Sequence, residues 1–169
     1  MQIQRLAPED VEQYRALMLE AYDRHPEAFT SSVREREKLP LAWWAGRLDG
    51  ELDVLLGAFC DGRLVGVVGL AFELREKAQH KATLFGLYVT AEQRSSGLGL
   101  RLVQALLAEA AEYEGVRLVQ LTVTAGNDSA LALYRRCGFV QYGLEPLAVR
   151  VGDDYFDKIH MWYRLPEQG

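Results

Sequence analysis

The chain of 169 residues has little of what most specialised folds need. It holds only two cysteines, Cys60 and Cys137. Each lies inside an apolar run without metal-ligand spacing, so no metal site is expected and both are read as reduced core residues of a cytoplasmic protein. No apolar run approaches the roughly 20 residues of a membrane span. The start, "MQIQRLAPEDVEQYRALMLEAY", reads as a strand and an amphipathic helix, not as a charged region before an apolar signal core. Low-complexity tracts and internal repeats are missing, which leaves one ordinary domain over 1–169. Basic residues are in the minority, 19 against 24 acidic, for a formal net charge of −5. That balance argues against nucleic acid, whose phosphates require a basic surface, and suits amine-bearing small molecules or peptides. Two phosphate-binding fingerprints are also missing. A dinucleotide turn needs a third glycine three residues after Gly99, where Leu102 stands, and no Gly-Lys-Ser/Thr of a P-loop occurs.

What is present alternates between two hydrophobic periods. Gln2 to Leu6 alternates weakly as a short strand. Pro8, Glu9 and Asp10 open a helix with Val11, Tyr14, Leu17, Met18 and Tyr22 at helical spacing. "DRHPEAFTSS" is a loop, and a second helix is expected over Val33 to Leu48. From Leu52 the period shortens: "ELDVLLGAFCDGRLVGVVGLAFEL" is two strands joined at Asp61-Gly62, a hairpin signal. A polar break precedes a fourth strand, Ala82 to Val89, followed by the polar turn and long helix of "VTAEQRSSGLGLRLVQALLAEAA". "VRLVQLTVTAGN" reads as a strand, and "DSALALYRRCGF" as a helix stopped at Gly138. Phe139 to Val151 and Phe156 to Leu165 form a terminal hairpin. The sum is an α+β chain with one mixed, largely antiparallel twisted sheet of about seven strands flanked by about four helices.

The chemistry concentrates in Arg94-Ser95-Ser96-Gly97-Leu98-Gly99, between a strand and a helix. The first turn of a helix has unpaired N–H groups and the positive dipole end, so it holds anions. Glycines let a phosphate approach the backbone, Ser95 and Ser96 add hydroxyls, and Arg94 adds charge. This segment, with "NDSALALYRRCGF" one strand later, resembles the GNAT superfamily of N-acetyltransferases. Its signature Gln/Arg-x-x-Gly-x-Gly/Ala is matched from Arg94 to Gly99, and Asn127, Ala130, Leu133, Tyr134, Gly138 and Phe139 fall at the spacing of its second block.

The resemblance implies the acyl-CoA N-acyltransferase fold and acetyl transfer from acetyl-CoA, with no metal, to a primary amine by direct attack in a ternary complex. It implies that Leu87, Tyr88 and Val89 present backbone groups to the pantetheine arm and an N–H to the thioester carbonyl. Arg94 through Leu100 would wrap the pyrophosphate, Asn127 would bond the cofactor, and Tyr134 would protonate the leaving thiolate. Ser95-Ser96 departs from the glycine frequent in the family, which implies altered affinity, not lost binding. The glutamate some members carry on the fourth strand is replaced by Thr83. Base candidates are therefore Glu73, and further Asp153, Asp154, Asp157, His80 and His160, or water.

Acceptor pockets in the family lie between the first helices and the last hairpin. Tyr22, Phe29 and Asp154 are the candidate substrate contacts, with Trp43 and Trp44 nearby, aromatic beside acidic as an amine favours. The run "FDKIHMWYRL" is a candidate homodimer surface. The alternative reading, a non-catalytic acyl-CoA sensor or interaction module, needs the phosphate turn but neither Tyr134 nor an open cleft. Transfer of a longer acyl group depends on pocket depth near Leu87 and Asn127.

Overall fold

Each expected strand pairs into one sheet. In the computed structural model, which describes residues 1–167, the strands run in the order β1-β2-β3-β4-β5-β7-β6. They are β1 (Gln2–Arg5), β2 (Asp53–Cys60), β3 (Arg63–Phe72), β4 (Lys81–Val89), β5 (Leu118–Thr124), β6 (Val140–Val151) and β7 (Asp154–Arg164). Every neighbouring pair is antiparallel except β4 and β5, which are parallel. Asp61 and Gly62 turn β2 into β3 with φ of 51° and 78°, the two left-handed residues that a tight hairpin of the I′ type requires.

The helices are α1 (Val11–Arg24), α2 (Val33–Glu37), α3 (Leu41–Gly46), α4 (Leu98–Ala111) and α5 (Asp128–Cys137). Among the described residues there are five, since the helix expected over Val33 to Leu48 is broken in two. Pro40 takes φ −66° and ψ 156° and starts α3 afresh, since its ring cannot continue a helix. Ser32 opens α2 by accepting the Glu35 N–H at 3.1 Å.

Two apolar layers sandwich the sheet. Leu98, Leu102, Val103 and Leu106 of α4 pack on Val65, Val68, Leu84 and Leu121. On the other face, Tyr14, Met18 and Tyr22 of α1 and Trp44 of α3 pack on Leu55, Val67 and Tyr88. The adjacent tryptophans divide their work. Trp44 is fully buried, edge-on to Tyr14 at 5.7 Å, whereas Trp43 is half-buried and lies beneath the Arg36 and Arg47 guanidinium groups at 4.5 and 5.2 Å. In "FDKIHMWYRL", Ile159, Met161 and Leu165 belong to the core, and the exposed apolar side chains stand instead on β6, at Val140, Tyr142, Leu144 and Leu147. Among the described residues, no helix is long and apolar enough to cross a membrane.

Two irregularities position the site. The β3–β4 register passes from Val67↔Tyr88 to Gly69↔Phe85, so Gly86 and Leu87 together face Val68. This bulge, with Gly86 at φ 63°, takes main-chain groups out of the ladder and bends β4. The parallel pairing of β4 with β5 then lasts only from Lys81↔Leu118 to Thr83↔Gln120. Beyond it the strands diverge and the sheet opens as a wedge.

Candidate active site

The wedge leads to the start of α4. Gly97 is the N-cap at φ 82°, and no side chain caps the helix, so its first N–H groups lack a side-chain partner. The two glycines serve different ends. A Cβ at Gly97 would meet nothing within 4 Å, so this glycine supplies the left-handed turn. A Cβ at Gly99 would come within 2.9 Å of Leu133 Cδ1, so this one lets α4 approach α5. Ser96 turns its hydroxyl back to the Gln93 carbonyl. Ser95 carries the strain, with φ 67°, a conformation disfavoured for any residue with a Cβ. Ser95→Gly is therefore expected to raise stability by about 0.5–1 kcal/mol, read from urea unfolding midpoints at constant slope.

A groove of about 1010 Å³ runs from this turn into the wedge. Arg94, Ser95, Gly97, Leu98, Gly99 and Leu100 line its outer part, and Leu87, Tyr88, Val89 and Asn127 its inner part; Ser96 does not line it. Arg94 donates to His25 Nε2 at 2.9 Å and stacks 5.7 Å from the Tyr88 ring centre, while the Tyr88 hydroxyl donates to Glu20 at 2.8 Å. Asn127 caps α5, its Oδ1 accepting the Ala130 N–H at 3.3 Å, which leaves its amide N–H groups as donors. An uncapped helix start, open space before Gly97 and the nearby Arg94 and Arg136 fit a long phosphorylated ligand of the coenzyme A type.

A second cavity, of about 320 Å³, adjoins the groove. The two share Ala28, Phe29, Leu87, Thr124, Asn127 and Ala130, so they meet inside the wedge. Tyr134 lines the inner cavity, 6% exposed, with its ring 5.8 Å from Phe139. No hydrogen bond to its hydroxyl is formed among the described residues, and burial pushes its pKa well above the ordinary phenol range. A phenol in that state keeps its proton until something basic arrives.

Tyr22 and Phe29 line the inner cavity, in edge contact at 5.3 Å. Asp154 does not; it is exposed at the start of β7. Glu73 also lies apart, beyond the far end of β3, its N–H donating to the Lys81 carbonyl at 3.3 Å. Asp153 pairs with Arg150 at 3.5 Å, Asp157 accepts the Leu147 N–H at 2.8 Å, and His160 bonds Glu145 at 2.9 Å. Neither these residues nor His80 line either cavity. The expected acidic wall is replaced by Arg36, Arg47 and Lys158, which are the charged groups lining the inner cavity. Burial pushes the Lys158 pKa down, only partly opposed by Glu145. Tyr14, beneath them, is pushed up to about 12, mainly by burial and against the pull of Arg47. Glu27, in the groove, is the sole carboxylate of either lining. Glu27, Arg36, Arg47 and Lys158 are not legible in the sequence, because they sit in a 3-10 turn, in α2, just past the end of α3 and in β7, with no shared motif.

A split sheet, an uncapped helix start and two cavities meeting at a strand bulge define the class of acyl-CoA N-acyltransferase folds. Residues 15–139 match the acetyltransferase (GNAT) family, and the chain belongs to it. It is similar, at 30% identity over 62% of its length, to the L-methionine sulfoximine/L-methionine sulfone acetyltransferase of Pseudomonas paraeruginosa, spanning 60% of that relative. It is 31% identical over 65% of its length to the [ribosomal protein bS18]-alanine N-acetyltransferase of Salmonella typhimurium, spanning 80% of that protein. Its fold is that of a putative acetyltransferase from Salmonella typhimurium solved with its cofactor acetyl-CoA (TM-score 0.79, 19% identity, 100% and 96% of the two chains).

Proposed function

We propose that the protein transfers the acetyl group of acetyl-CoA to a primary amine of a small molecule or peptide, by direct attack in a ternary complex. The observation that carries this reading is the junction of the two cavities at Leu87, with Tyr134 buried beside it. The groove takes the donor, and the inner cavity brings an amine to its far side. The relatives named above act on an amino-acid analogue and on a protein alanine, both amine acceptors.

Each residue then has a chemical task. Acetyl-CoA supplies an activated thioester. Main-chain groups freed by the bulge at Gly86 and Leu87 are placed to stabilise negative charge developing on the carbonyl oxygen. Tyr134 donates its proton to the departing sulfur. The amine loses its proton to Glu27 or to solvent at the groove mouth. Holding both substrates in line supplies much of the rate, so no covalent enzyme intermediate is needed. An inner cavity open to about 320 Å³ favours the enzyme over the sensor, which has no use for one.

Calorimetry with acetyl-CoA and a thiol-release screen over amino acids, polyamines, aminoglycosides and peptides test the proposal. Absence of both acetyl-CoA binding and its slow hydrolysis would sink it. The pH profile is a second check. Turnover should rise with pH as the acceptor amine deprotonates. It should show no alkaline fall up to about pH 10, because Tyr134, with its pKa raised, still carries its proton there. A fall between pH 8 and about 9.5, below the ordinary phenol range, would point to a proton donor other than Tyr134, whose pKa is raised.

A further inference from the structure

The inner cavity has the opposite sign from the molecule around it. The whole chain carries −5, yet Arg36, Arg47 and Lys158 converge on a space of about 320 Å³ with no carboxylate among its lining residues. Their neutralisation is incomplete. Arg47 Nε is 3.8 Å from Asp53, a loose pair outside the lining. Among the described residues, Arg36 and Lys158 form no ion pair. Arg36 donates to the Ser31 hydroxyl at 2.7 Å and Lys158 to the Thr30 hydroxyl at 2.8 Å. Glu145, opposite Lys158 across the β6–β7 pair, is bound to His160 instead.

Packing on aromatic rings accounts for part of this arrangement. Arg36 and Arg47 lie over Trp43, and Arg47 also lies 4.9 Å from the Phe85 ring centre. Stacking fixes the guanidinium planes, but it does not neutralise the charges of Arg36 and Arg47 over Trp43, nor that of Lys158 on the same lining. An anion does. A planar fork of N–H donors fits a carboxylate in particular. The cavity is also at the small end of the range for ligand sites, roughly 300–1,000 Å³, the size for an amino acid and not for a folded peptide segment.

We propose that the acceptor is an amine that also bears a carboxylate, of the free amino-acid type, its carboxylate held by Arg36 and Arg47 with Lys158 and its amine directed to Leu87 and Tyr134. This rests on the acetyl-transfer reading. It makes the cations of α2, the end of α3 and β7 the determinants of specificity, and leaves the reaction itself unchanged: the amine nitrogen gains the acetyl carbon and gives up a proton, the carbon–sulfur bond breaks, and the departing thiolate takes a proton from Tyr134, which solvent restores.

The test has two arms. In the first, thiol release from acetyl-CoA is compared for free amino acids, their carboxamides and the corresponding decarboxylated amines. The acids should exceed the other two by about 100-fold in kcat/KM, the usual effect of removing one partner of a buried charge pair. Carboxamides or simple amines reacting as well as the acids would overturn the proposal while leaving acetyl transfer intact. The second arm needs no turnover. N-acetyl amino acids should raise the melting temperature, and N-acetyl amino-acid amides should not; equal shifts, or none, count against the proposal. Arg36→Gln should abolish the difference between acid and amide in both arms, with calorimetric affinity for acetyl-CoA unchanged. Arg36→Lys should restore part of it, which a fold defect would not. Absence of acetyl-CoA binding and of thiol release, with the acid-selective shift present, would instead defeat the acetyl-transfer reading.

Discussion

Tyr134→Phe is expected to lower kcat by about 10²- to 10³-fold, the range for a lost general acid, with calorimetric affinity for acetyl-CoA changed less than about threefold. The substitution is unusually clean. The Tyr134 hydroxyl makes no hydrogen bond among the described residues, so its removal leaves no partner unsatisfied. The ring keeps its contact with Phe139 and its place in the larger core cluster. Stability should therefore hold or rise slightly, and a rate loss cannot be assigned to unfolding. Single-turnover measurements separate chemistry from product release. An unchanged chemical step would show that the thiolate leaves unaided, and the inner cavity would lose its assigned acid.

Trp44→Ala should have the largest effect on stability, a loss of about 3–5 kcal/mol as for other buried Trp or Phe truncations. Trp44 is 0% exposed, and it touches Tyr14 edge-on at 5.7 Å and Trp43 at 5.2 Å. It ties the six-residue α3 to α1, and so short a helix has no stability of its own. At about 2–4 °C per kcal/mol for this size, the melting temperature should fall by about 10 °C or more. Trp44→Phe is the informative control. Trp44 Nε1 is buried without a partner among the described residues, so phenylalanine removes an unsatisfied donor and should cost only about 1–2 kcal/mol. If alanine cost less than about 1 kcal/mol, α3 would be held by something other than this ring. The alanine variant should also raise the acceptor KM, since Trp43 and the two arginines stacked on it rest on Trp44.

Local rules carried the fold a long way. The hairpin at Asp61-Gly62 and the stop at Gly138 follow from left-handed residues, which sequence shows directly. The α4 face was legible because Leu102, Val103, Leu106 and Ala110 repeat at helical spacing, and all four are buried. Pro40 is legible too: a proline between residues 33 and 48 signals a break, and α3 starts just after it. The site divides in the same way. The turn around Gly97 is a local structure, so its position could be read. The role of Gly99 could not, because it depends on Leu133 across two elements. The charge of the inner cavity is not legible in the sequence: the acidic residues near Asp154 are adjacent in the chain but line neither cavity. The basic ones come from positions 36, 47 and 158 and meet only on folding.

The brief pairing of β4 with β5 has a dynamic consequence. Three residue pairs join the two halves of the sheet there, whereas β5 and β7 share seven. The join is a seam, and the amides of Leu121 to Thr124 along its open side have neighbours on one edge only. Breathing of the molecule should begin at this seam, with amide exchange on the β4 edge fastest near Leu87 and slowest toward Ala82. A donor laid into the wedge bridges both halves. Its arrival should therefore be heard well beyond its own contacts, as slowed exchange in β5 and β7.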